Sequence, residues 1–138
     1  IFLTGQVPRI NDFEDTGGAF FLDEKCSISD ELIDDQALFM ETPKGLVVVL
    51  GCAHSGVVNI LDYISILSGQ KQIYAVICGM HLLNASPVRI QKTIEALNKY
   101  EVQKIVPLHC TGQEAMKRLK NVFADKCLLW AVGGQISF

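Results

Sequence analysis

Leu46-Val47-Val48-Val49-Leu50-Gly51-Cys52-Ala53-His54-Ser55-Gly56 is the stretch on which the fold turns. Five apolar residues, three of them valine, lie between Gly45 and Gly51 and predict a strand buried on both faces. Ser55 then offers a helix N-cap. Val57, Ile60, Leu61, Ile64 and Leu67 follow helical spacing, and Gly69 supplies the stop.

Two further units repeat this order. Ile73 to Cys78 reads as a strand, Ser86-Pro87 as an N-cap and first-turn pair, and Ile90, Ile94 and Leu97 as one helical face. Lys104 to Leu108 reads as a third strand. Thr111-Gly112-Gln113-Glu114 has the form of a capping box, opening a helix with Ala115, Leu119, Val122 and Phe123 inward. Three strand-to-helix units in succession imply parallel strands joined by right-handed crossovers.

Outside this region the pattern is less regular. Ile1 to Thr4, Ala19 to Leu22 and Gln36 to Glu41 are strand-sized runs, residues 27–35 an acidic loop, and Pro43-Lys44-Gly45 a turn. Cys127 to Val132 and Gln135 to Phe138 predict two short strands around a Gly133-Gly134 hairpin turn.

The bulk numbers set limits. The 138 residues suit one domain, 1–138, and the 49% apolar and 20% charged composition is globular. A net charge of −3 lacks the basic footprint that nucleic acid requires. No apolar run reaches the roughly 18 residues of a membrane span. Five cysteines, an odd number with no Cys-x-x-Cys pair, point to a reducing, cytoplasmic setting and away from a disulfide framework.

The three histidines fall at equivalent places: His54, His81 and His109 each follow one of the three regular strands. In a parallel sheet those strand ends share one edge, where open α/β proteins bind ligands. Helix N-termini nearby disfavour imidazolium, and a neutral imidazole is what Zn, Fe or Mn takes as a ligand. The same helix ends offer N–H groups to an anion such as phosphate. A single strand-end histidine is more often a hydrogen-bonded turn residue, but three in equivalent positions favour a shared site.

Other candidates carry less. Cys52 and Cys110 adjoin His54 and His109, but alternation along extended chain favours a packing role for both. Asp34 and Asp35 could supply a carboxylate, with a solvated turn the default reading. Gly17-Gly18 and Gly133-Gly134 lack the dinucleotide-binding context, and Ser55 lacks the Gly-x-Ser-x-Gly spacing of a nucleophile elbow. Arg9 and Lys44 could contact phosphate, with surface solvation the default reading.

Gly51-Cys52-Ala53-His54-Ser55-Gly56, Cys78-Gly79-Met80-His81-Leu82 and Pro107-Leu108-His109-Cys110-Thr111-Gly112 resemble the C-terminal half of metallo-β-lactamase-superfamily proteins. Asp34-Asp35-Gln36-Ala37-Leu38 is similar to the branch named for an archaeal dihydropterin synthase, which joins a pterin to a ribofuranosylaminobenzene phosphate. The resemblance implies half of an αββα sandwich, with His109 as the last metal-ligand motif and His54 as the ligand of the preceding strand end. His81 has no secure counterpart, so contact with substrate and coordination both stay open. The family's His-x-His-x-Asp-His string is absent from these 138 residues, which suggests a fragment or a truncated homologue.

The expectation is therefore a metal-dependent hydrolase- or transferase-like protein acting on a phosphorylated or ester-bearing small molecule. His54 and His109 would bind Zn or another divalent metal (Fe, Mn), and His81 would steer protons or substrate. A non-catalytic α/β module binding phosphate or a protein partner is the alternative, and a thiol redox protein using Cys52 or Cys110 the third. Half a sandwich would also leave an apolar sheet face, so a homo-oligomer is expected. By itself the chain would form a two-layer α/β unit with helices on one face, for which a ferredoxin-like order is one local description.

Overall fold

The computed structural model describes residues 1–130 and 133–137. Among these residues five strands, β1 (Phe2–Leu3), β2 (Ala37–Thr42), β3 (Gly45–Leu50), β4 (Ile73–Cys78) and β5 (Lys104–Pro107), form one sheet in sequence order. The helices are α1 (Val57–Ser68), α2 (Pro87–Lys99) and α3 (Gln113–Phe123). β1, β2 and β3 pair antiparallel, whereas β3, β4 and β5 pair parallel.

The parallel half follows the expected units. Both crossovers step to the next strand in the same direction, so right-handed connections put α1 and α2 side by side on one face, and α3, after β5, packs next to α2. That stepping also excludes the interleaved strand order of a ferredoxin-like unit, and the correct description is a sequential mixed sheet.

Alternation divides the sheet residues. Phe39, Val48, Val76 and Ile105 lie across from one another in register and join Ile60, Ile64, Ile94, Leu97 and Leu119 of the helices in the main core. The opposite face carries Leu38, Val49 and Ile77, all half-buried, with Val47, Ala75 and Val106 fully covered. Trp130 borders a cavity on that side together with Ile77 and Val106.

Several boundary expectations are corrected. Ala19 to Leu22 forms no strand, only an isolated bridge between Phe21 and Ser29. Cys127 makes a single parallel bridge to Ile105, and residues 128–130 and 133–137 carry no strand. The rest of the expected terminal hairpin, Ala131, Val132 and Phe138, lies outside the described residues. Leu67 and Val122 are exposed, because both helices turn those positions past the rim of the core.

The helix caps differ as well, and each difference bears on the site. Gly56 is the N-cap of α1, so Ser55 does not cap it. Gly112 is the N-cap of α3, with no side-chain cap, because His109–Thr111 winds into a separate 3-10 turn. Thr111 Oγ1 instead accepts a hydrogen bond from the Met80 amide at 3.1 Å. Ser86 caps α2 as expected, accepting from the Arg89 amide, and Gly69 ends α1 as expected in left-handed backbone at φ 68°.

Candidate metal centre

Three loops leave the C-terminal ends of β3, β4 and β5 and are stitched together by backbone hydrogen bonds. The Gly79 amide donates to the Gly51 carbonyl at 2.9 Å, Leu108 to Cys78 at 2.8 Å, and Leu82 to Cys110 at 3.1 Å. Asp35 Oδ2 accepts from the Ser55 amide at 2.6 Å, so this residue is a structural brace of the first loop, not a solvated turn. Ala53 (φ 51°) and His81 (φ 49°) both take left-handed backbone, a conformation costly for residues with a Cβ and often retained where a side chain must be aimed.

These loops gather the histidines at one rim. The His54 and His81 ring centroids are 4.4 Å apart. Cys52 Sγ lies 3.0 Å from His109 Nε2. Potential ligand atoms of Cys52, His54 and His81 all lie within 4.8 Å of one another, as do those of Cys52, His109 and Cys110. Cys52 belongs to both groups.

The two cysteines are thus placed otherwise than expected. Cys52 stands two residues from His54, a spacing that alternation itself turns to one side, and Cys110 lies in the 3-10 turn, where alternation does not apply; both side chains are half-buried within the rim. All five cysteines are free. Burial, as the largest cause, raises the Cys110 thiol above its ordinary value, which is the opposite of an activated redox thiolate.

A loop before β2 supplies a second layer of contacts that sequence reasoning missed. His54 Nδ1 meets the Thr16 carbonyl at 2.8 Å, and His81 Nε2 meets the Gly17 carbonyl at 3.1 Å. A carbonyl only accepts, so these nitrogens carry the protons and the lone pairs sit on His54 Nε2 and His81 Nδ1. His81 Nδ1 is buried without a hydrogen-bond partner. Burial first, and then the neighbouring His54, lower the His81 pKa, keeping the ring neutral.

Glu14 holds this loop in place. It is only 8% exposed, and its carboxylate accepts from the Val58 and Asn59 amides at the start of α1, both at 2.9 Å. It therefore does the work the sequence assigned to Ser55. A distant carboxylate serving as a helix cap leaves no local signal, which is why it was not foreseen. Glycines make room for the arrangement: a Cβ at Gly17 would lie 1.7 Å from the His81 ring, and one at Gly79 would lie 2.3 Å from that of His109.

This donor set suits a metal. A neutral imidazole with an unpartnered buried nitrogen, two further imidazoles and two cysteine sulfurs form the mixed nitrogen–sulfur environment that borderline-soft ions such as Zn²⁺ accept. Two other sequence candidates stay apart from the rim. Arg9 donates to the Glu31 carbonyl at 2.7 Å, and Lys44 lies over the Tyr74 ring.

No family profile matches the chain. Over 130 residues it is 37% identical to the 7,8-dihydropterin-6-methyl-4-(β-D-ribofuranosyl)-aminobenzene-5'-phosphate synthase of Methanocaldococcus jannaschii, covering 91% of this chain and 43% of that protein. An uncharacterized protein of the same organism is 31% identical over 122 residues, covering 88% of this chain and 44% of the relative. The crystal structure of Tm1679, a metal-dependent hydrolase of the β-lactamase superfamily, superposes with a TM-score of 0.77 at 34% identity. That match covers 91% of this chain and 48% of the other. The chain spans under half the length of the relatives it matches.

Proposed function

Since the chain shares sequence and fold with part of a metallo-β-lactamase-superfamily protein, we propose that it supplies part of a divalent-metal site acting on a phosphorylated or ester-bearing small molecule. The observation that carries this reading is the convergence of two ligand groups on Cys52. His54, His109 and Cys52 would hold the ion, with Zn²⁺ the best match to sulfur and nitrogen donors. A bound divalent ion would supply Lewis-acid polarisation of an oxygen, or a water whose pKa falls toward about 7.

The chain's own residues prepare that chemistry. The Thr16 and Gly17 carbonyls fix the tautomers of His54 and His81, so each ring presents a lone pair without rotating. His81, neutral and short of a partner at Nδ1, is suited either to join the ligands or to accept a proton from substrate. The reaction would be a hydrolysis or a group transfer. The curated relative is a synthase and the structural one a hydrolase, and each supports one of these.

Metal content of the purified protein tests the proposal. Plasma emission analysis should find a divalent metal that falls by more than half in His109→Ala and Cys52→Ser. Equal content in the wild type and both variants would remove these residues from the ligand set.

A further inference from the structure

Beside the histidine rim sits a cavity of about 450 Å³, lined by Asp15, Gly17, Gly18, His81, Asn84 and Arg89 among others. Arg89 is the unusual member. Its side chain is only 3% exposed, and Nε and Nη2 are both shielded from solvent without an acceptor. Among the described residues its one charged partner is Asp15, which meets Nη1 alone and is itself 78% exposed.

A buried guanidinium held for structural reasons has its fork filled by equally buried acceptors, because each unmet charged donor costs free energy. Here one nitrogen of three is engaged, by a carboxylate that stands mostly in water. Arg89 also lies in the first turn of α2, where the helix dipole repels a cation and attracts an anion. Position and charge together call for a negative group larger than one Asp15 oxygen.

We propose that Arg89 is the anion-binding residue of the substrate site. It would take a phosphoryl or carboxylate group of a small molecule in a two-pronged contact, with the Asp15 carboxylate holding the place until substrate arrives. The planar guanidinium presents paired N–H groups that match two oxygens of such an anion. The loop geometry supports this exchange, because Asp15, Thr16 and Gly17 cover Arg89, His54 and His81 in that order. Displacing Asp15 would bring the anionic end of a ligand beside His81, on the same cavity wall. This inference deepens the proposed function and rests on reading the rim as a substrate site.

Calorimetric titration with inorganic phosphate, and separately with succinate, tests it on the purified chain before and after chelation. Removing the competing charge in Asp15→Asn should tighten binding about two- to fivefold, the scale of an exposed ion pair. Arg89→Lys, which keeps the charge and loses the fork, should weaken binding in the Asp15→Asn background. A gain with phosphate alone assigns a phosphoryl ligand, and a gain with succinate alone a carboxylate. No gain with either anion overturns the proposal, as does a gain that disappears on chelation, because the anion would then be sitting on metal. Metal content in His109→Ala is read independently, so failure of the metal site and failure of the Arg89 site are told apart.

Discussion

Replacing Glu14 with glutamine should destabilise the protein by about 1–5 kcal/mol. One carboxylate oxygen accepts from Val58 N–H, and the other from Asn59 N–H and Asn11 Nδ2, each at 2.9 Å. Glutamine keeps one acceptor and turns the other into a donor. In the less damaging rotamer its NH₂ group faces the Val58 amide, leaving a buried N–H unmet at a cost of about 1–3 kcal/mol. Loss of negative charge at a partly buried helix N-terminus adds up to about 2 kcal/mol. α1 has no acidic residue in its first turn and no side-chain cap of its own to compensate. With a urea m-value of roughly 1.5 kcal/mol/M, the midpoint should fall by about 0.7–3.3 M, followed by circular dichroism at pH 7. The same variant should shift the His54 and His81 ring resonances, because the loop that contacts both would come away from α1. A loss below about 0.5 kcal/mol, the range of ordinary surface changes, would refute the capping role.

Three other outcomes are expected. Gly17→Ala should lower the thermal midpoint and disturb His81, since position 17 has φ +77° and its Cβ would enter the imidazole; an unchanged His81 spectrum would contradict the placement. His81 binds its proton more weakly in the folded chain than in the unfolded one. The stability it contributes is therefore present above the ordinary value of 6.5 and is lost as pH falls through the lowered folded value. Urea midpoints measured from pH 8 to 5 should fall more steeply in wild type than in His81→Asn, and parallel curves would disprove this. On the helix-free face, half-buried Leu38, Met40, Val49 and Ile77 should drive self-association, so light scattering at about 10 µM should give a dimer or larger, and Val49→Lys should shift it toward monomer.

What could be read from the chain divides along the line between local and distant interactions. The strand β4 and the cap of α2 follow from neighbouring residues, and both lie where periodicity and Ser86-Pro87 placed them. The convergence of His54, His81 and His109 was legible for a similar reason, because a parallel sheet delivers equivalent strand ends to one edge. Glu14, Asp15, Arg89 and the Thr16 and Gly17 carbonyls were not legible. Each acts on a residue 38 or more positions away, through a loop with no periodic pattern. Cys52 and Cys110 were read as packing residues, yet both stand at the rim: Cys52 has the i, i+2 spacing that keeps it on the side of His54, and Cys110 sits in a 3-10 turn that alternation does not describe.

Among the described residues, Cys52 Sγ is the one atom shared by both candidate ligand groups. Oxidising or alkylating that sulfur would take a donor from both ligand groups at once, whereas the same damage at exposed Cys26 would touch neither. If the rim holds a divalent ion as proposed, a single chemical modification of that sulfur would reach both groups.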